Sequence, residues 1–144
     1  FSGDQDDNAL SYRIAKAQMA AGADVIFTML NSGRNGVTQA CREAGTRQIG
    51  NVIDWTAVDS QVFVASAWAD VGIGAFLAVK DMQQRGAPGP GIHKIGLSDP
   101  AAVRLTMGKD VAASVRERVA KTSAAIVAGS LKVPENYAGP EFTA

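Results

Sequence analysis

The sequence predicts an α/β fold in which a parallel sheet is flanked by helices. Three observations predict it. Short apolar runs alternate with segments whose apolar residues recur at helical spacing, the pattern of βαβ units. Glycines close those helical segments at Gly22, Gly45, Gly86 and Gly129. Polar clusters follow three of the apolar runs, where open α/β sheets place their ligands.

The elements follow in order. Asp4, Asp6 and Asp7 supply N-cap candidates and negative charge for a first helix, with Leu10, Ile14, Ala17 and Ala21 as its inward stripe. Val25 to Leu30 is almost continuously apolar, which predicts a strand buried on both faces. The polar turn Asn31 to Gly36 leads into a helix with Val37, Ala40, Cys41 and Ala44 inward. Gln48 to Ile53 predict a second strand, with Asp54 and Trp55 at its C-terminal end. Val62 to Ala65 predict a third, with Ser66 to Asp70 as its exit. The next helix aligns Val71, Ala75, Ala78, Val79 and Met82, and Gly86 to Gly91 form a glycine–proline loop. Ile92 to Leu97 and Val103 to Thr106 predict two more short strands. Asp110 opens a long helix with Val111, Val115, Val119 and Ile126 in register, and the tail from Val133 has no period.

Composition narrows the function. The chain has 144 residues, 47% hydrophobic and 19% charged, enough for one domain with a core. Lys plus Arg and Asp plus Glu each total 14, so no basic stripe invites nucleic acid. No apolar stretch approaches the roughly 18–20 residues of a membrane helix. Cys41, the single cysteine, reads as a buried inert thiol rather than a nucleophile. Phe1 is not an initiator Met, so further residues upstream are expected.

The candidate site residues lie in the three polar clusters. The amides of the Asn31-Ser32-Gly33 turn, at a helix start, suit an anionic or hydroxyl-bearing ligand group, or they form an ordinary βα turn. Asp54 either accepts from sugar hydroxyls or caps the turn that follows it. Trp55 and Trp68, the two tryptophans, either stack on a flat ring or pack over the end of the sheet. His93 stands without a second His or a Cys pair, so neither a metal site nor a catalytic triad is expected. Gly72-Ile73-Gly74 falls inside a helical pattern, where small residues permit close packing.

Gly22-Ala23-Asp24-Val25-Ile26-Phe27, Asn35-Gly36-Val37, Gln39-Ala40, Ile49-Gly50 with Asp54, Ser66, and Ile95-Gly96-Leu97 with Asp99 form an ordered set. In order and spacing this set resembles the basic membrane protein family, the substrate-binding lipoproteins of ABC importers, similar to bacterial purine nucleoside receptors. The likeness runs from about Asp7 to the final helix and matches only the second half of a typical member. It implies a type I periplasmic-binding fold, two α/β lobes that close on a ligand by a hinge, with no cofactor, no metal and no catalysis. Residues 1–106 would form the ligand-binding lobe. Residues 107–144 would form a C-terminal helix and tail that pack on the missing N-terminal lobe. The implied ligand is a purine nucleoside, a nucleobase or a sugar, and the implied partner is an ABC permease. The implied location is the periplasm, or the outer side of the bacterial inner membrane as an anchored lipoprotein.

Residue by residue, the turn Asn31, Ser32 and Gly33 matches the family's glycine-rich ligand loop, and Asp54 matches the acid that would hold ribose hydroxyls. Ser66 matches the family serine, and Asp99 falls near the hinge. The departures are Trp55 in place of glutamine, Ala69 in place of lysine beside Trp68, and Arg34 where small residues are common. They predict a pocket with more aromatic surface and weaken the nucleoside expectation. Two other readings stay open: a sensory module of the same fold in a regulator, and a nucleoside-processing hydrolase using Asp54 and Asp70.

Overall fold

The computed structural model describes residues 3–87, 92, 94–134, 136 and 139. Its elements are α1 (Asn8–Ala20), β1 (Val25–Phe27), α2 (Arg34–Ala44), β2 (Arg47–Val52), α3 (Trp55–Val58), β3 (Phe63–Ala69), α4 (Val71–Arg85), β4 (Val103–Met107) and α5 (Ala113–Val127). The strands form one sheet in the order β1-β2-β3-β4. The first three run parallel, and β4 returns antiparallel to β3. The α/β class stands, with a mixed rather than purely parallel sheet.

Local chemistry sets the helix ends. Asp7 caps α1 by accepting from the Leu10 amide at 2.9 Å. Asp70 caps α4 in the same way through Gly72. Gly45 and Gly86 close α2 and α4 in the left-handed conformation that glycine adopts without a Cβ penalty.

The inward face of α1 is rotated from the predicted one: Ser11 and Ala15 are buried, whereas Ala17 and Ala21 are exposed. The two helices cross closely there: a Cβ at Gly36 would collide with the Asn8 carbonyl and lie 3.0 Å from the Tyr12 amide nitrogen, so only glycine fits at that point. On α2, Gly36, Val37, Ala40 and Cys41 turn inward while Ala44 is exposed. With Ala15, Ile26, Val62 and Phe63 they build the core, and Trp55 packs against it. Burial pushes the Cys41 thiol pKa up, which keeps it protonated.

Other expectations are corrected. β1 ends at Phe27 and alternates exposed, buried, exposed, because α1 and α2 cover only its Ile26 face. Val25 and Phe27 remain 42% and 54% exposed. β3 extends to Ala69 because β4 pairs along it, which puts Ser66 and Trp68 inside the strand rather than at its exit. Ile92 and residues 94–97 form no strand. His93 lies outside the described residues. α5 begins at Ala113, because Asp110 instead pairs with Arg47 at 2.6 Å. On α4 the predicted stripe is not covered, and no residue of that helix is buried. Nothing lies within 4 Å of a Cβ built at Gly74, and one at Gly72 would meet only the capping Asp70 Oδ1 at 3.2 Å, so neither glycine serves packing against another element among the described residues.

Candidate ligand-binding site

The C-terminal ends of β1, β2 and β3 point to the same edge of the sheet, and the chain there is held by buried polar groups. Gln48, fully buried in β2, donates to the Thr28 hydroxyl at 3.1 Å and accepts from the Thr38 hydroxyl at 2.9 Å. That triple ties the exit of β1 to β2 and α2. Leaving one member unpartnered would cost about 1–3 kcal/mol.

The Asn31-Ser32-Gly33 turn follows. Its donors are already met from within the chain. The amides of Asn31 and Gly33 both donate to the Gln5 carbonyl at 3.1 Å. The Ser32 amide and hydroxyl donate to Asp6 Oδ1 at 3.1 and 2.8 Å, and the Gly36 amide donates to Asn8 Oδ1 at 3.2 Å. The Ser32 hydroxyl, then its amide, hold the Asp6 carboxyl below the usual carboxylate range. Gly33 is required here because a Cβ would lie 2.7 Å from the Gln5 carbonyl and 2.8 Å from Ser11 Oγ. Of the two roles open to this turn, the amides serve the internal one, with Asp6 in the place of an external anion.

Beside the turn stands a cluster built on Arg34, the first residue of α2. Its Nη2 donates to the Leu30 carbonyl at 2.7 Å and to Asn51 Oδ1. Its guanidinium carbon lies 4.5 Å from the Trp55 ring centroid. Trp55 donates its indole N–H to the Asn51 carbonyl at 2.9 Å and stacks on Phe63 at 5.2 Å between centroids. It also needs Gly50, where a Cβ would lie 2.7 Å from the indole Cγ. The Trp55 ring is therefore engaged by core and guanidinium together. Val52, at the end of β2, has φ +71°, a conformation costing a branched residue about 1–3 kcal/mol. Its strain turns the chain sharply toward Asp54.

Asp54 acts as the N-cap of α3. Its Oδ1 accepts from the Thr56 amide at 3.1 Å, the Thr56 hydroxyl at 2.6 Å and the Thr106 hydroxyl at 2.8 Å. Burial alone would raise its pKa, but these bonds and the Ala57 amide hold it below the ordinary value. Ser66 is fully buried beneath, donating to the Ile53 carbonyl at 2.5 Å. Trp68 lies across from Arg104 on β4, whose guanidinium carbon sits 3.6 Å from the ring centroid. Asp99 accepts from the Ala101 amide at 3.1 Å in the turn before β4.

The structure thus gathers the 31–33 turn, Trp55 and Asp54 at the exits of β1 and β2. Trp68 and Asp99 fall toward the β3–β4 side, and Ser66 lies below the surface. Asn51, Thr106 and Arg104 were missed from sequence. Asn51 and Gln48 did carry a signal, as polar residues within an otherwise apolar strand. Among the described residues, no three His, Cys, Asp or Glu side chains are placed to hold a metal ion. Nor is any helix there long and apolar enough to cross a membrane.

No family model and no curated protein matches the chain. Solved structures do. The transcriptional activator of the comK gene from Bacillus halodurans aligns with a TM-score of 0.79 at 19% identity, over 91% of this chain and 46% of that one. An ABC transporter solute-binding protein from Aeropyrum pernix K1 aligns at 0.73 and 19%, over 94% and 47%. One from Conexibacter woesei DSM 14684 aligns at 0.66 and 19%, over 92% and 44%. The chain spans less than half the length of each of these neighbours. At this identity the likeness is one of architecture: the chain has the α/β fold of part of a solute-binding protein.

Proposed function

We propose that this chain is the ligand-binding lobe of a two-lobed receptor, which captures a small molecule at the C-terminal ends of β1, β2 and β3 and delivers it to an ABC permease. In this reading residues 1–106 form the lobe, and 107–144 pack on an N-terminal lobe. The receptor works in the periplasm or as a lipoprotein on the outer side of the inner membrane, and it carries out no chemistry. The observation that carries the reading is the convergence of Arg34, Asn51, Asp54 and Trp55 beside the strained Val52. They meet at the sheet edge where open α/β folds bind ligands. The likeness to two ABC solute-binding proteins supports it.

The proposed ligand is a flat heterocycle, a purine nucleoside or nucleobase, with sugars as the alternative. Asp54, Trp55, Trp68 and Asp99 would meet it at their open edges. The Asn31-Ser32-Gly33 turn would shape the wall of the site rather than donate to the ligand, since its amides and the Ser32 hydroxyl are taken. Ser66 would act from below by fixing the Ile53 carbonyl. The hydrolase alternative finds Asp54 and Asp70 each committed to capping a helix. The Bacillus halodurans neighbour favours a second reading, a sensory domain of the same fold in a regulator.

Calorimetric titration with adenosine, inosine, guanosine, hypoxanthine, ribose and glucose tests the reading. A saturable response to a base or nucleoside, lost in Trp55→Ala, is expected. Affinity should be weak without the second lobe, because closure uses both. A response to sugars alone would replace the ligand class, and turnover of a bound nucleoside would replace receptor by enzyme.

A further inference from the structure

The charges at the C-terminal edge of the sheet are unequally satisfied. The carboxylates there are turned onto their own chain: Asp54 caps α3, Asp70 caps α4, Asp99 holds the 99–103 turn and Asp6 holds Ser32. Arg34 has no such partner. Arg42, Arg47 and Arg85 pair with Asp59, Asp110 and Asp81, but Arg34 makes no ion pair among the described residues. Its protein acceptors, the Leu30 carbonyl and the Asn51 amide oxygen, are neutral and both take Nη2. Its Nε is buried with no acceptor. Among the described residues nothing accepts from Nη1, which leaves two N–H donors for a molecule arriving from outside.

Taking a guanidinium partly out of water without a counter-charge is unfavourable, and with Nη2 taken and Nε buried a carboxylate can supply that charge through a charge-assisted hydrogen bond from Nη1. Trp55 and Asn51 fix the guanidinium in place beforehand, so little side-chain freedom remains to be lost when an anion binds. Arg104, held on Trp68 at the same end of the sheet, adds a second cation without a carboxylate partner among the described residues. A neutral nucleoside or sugar would leave both uncompensated.

We propose that Arg34 is a specificity residue, and that the ligand is a planar molecule carrying a carboxylate, which accepts from Arg34 Nη1. This rests on the reading above that the ligand sits at the exits of β1 and β2. It narrows the ligand class from flat heterocycles in general to anionic ones.

The test is a titration of this chain with two ring pairs, uracil against orotate and benzamide against benzoate. The readouts are the separately resolved indole N–H resonance of Trp55 and the affinity it reports. The carboxylates are expected to bind at least tenfold more tightly than their neutral partners. Arg34→Gln should bring that ratio to about one with the fold unchanged by circular dichroism, and Arg34→Lys should keep part of it. Neutral members binding as well as the carboxylates would overturn the anionic preference while leaving the receptor reading intact. A carboxylate preference that survives Arg34→Gln would overturn the role of Arg34. No response of Trp55 to any of the four, nor to the nucleosides and sugars, would overturn both readings together.

Discussion

The two ends of this chain are built alike locally and supported differently. α1, α2 and the strands beneath them share a core in which Ala15, Val37, Ala40, Cys41 and Phe63 are at most 4% exposed. α4 and α5 have well-made turns and glycine stops, yet neither buries a single residue. Phe76 and Val79 stand 61% and 55% exposed on α4. A helix of 15 residues is marginal by itself in water, and most helical stability comes from packing an apolar face. The buried core lies mainly in the first half of the chain. The second half displays faces that the described residues do not cover, as the proposed second lobe would.

The largest difference is expected when one aromatic ring is deleted from each half. Phe63→Ala should cost about 3–5 kcal/mol in urea unfolding, while Phe76→Ala should stay within about 0.5 kcal/mol. Equal losses would mean that α4 is packed after all.

Glycines sharpen the same contrast at smaller size. Gly36→Ala drives a Cβ into the Asn8 carbonyl and should destabilise by about 1–3 kcal/mol. Gly74→Ala meets nothing within 4 Å in the interior of α4. It should stabilise by about 0.5–1 kcal/mol, raising the melting temperature slightly.

Acid should act on the first half as well. Asp54 and Asp59 both have folded-state pKa values below the ordinary 3.8. Burial alone would raise each, and hydrogen bonds reverse it, chiefly from Thr56 and Thr106 to Asp54 and from Arg42 to Asp59. A depressed carboxyl stabilises fully above the unfolded value and loses its contribution as pH falls through the folded one. Stability should therefore decline below about pH 4. Asp54→Asn should be less stable at neutral pH but flatter with acid, as read from melting temperature against pH.

What was legible in the sequence was local. Asp7, Gly45 and Gly86 mark helix ends because a cap is decided within a few residues. The antiparallel course of β4 was not legible, because strand direction depends on a partner roughly 40 residues away in the ladder, as with Ser66 and Thr106. The sites divide in the same way. Asp54 directly follows the apolar run Gln48 to Ile53, so its place near the end of β2 followed from the pattern. The Arg34–Asn51 bond and the capture of the 31–33 turn by Gln5 and Asp6 join residues distant in the chain. No local spacing announces either. Stacking and packing stayed equally open for Trp55 because its partners Phe63 and Arg34 lie on other elements.

In the proposed receptor a small molecule binds at the exits of β1 and β2. Amide and indole chemical-shift mapping of this chain, with the nucleoside, nucleobase and orotate probes added in turn, tests it most directly. Saturable shifts at residues 31–34, 51–55, Trp68 and Arg104, and not elsewhere, are expected. Shifts centred instead between β4 and α5, on Leu105, Val115 and Val119, would contradict it.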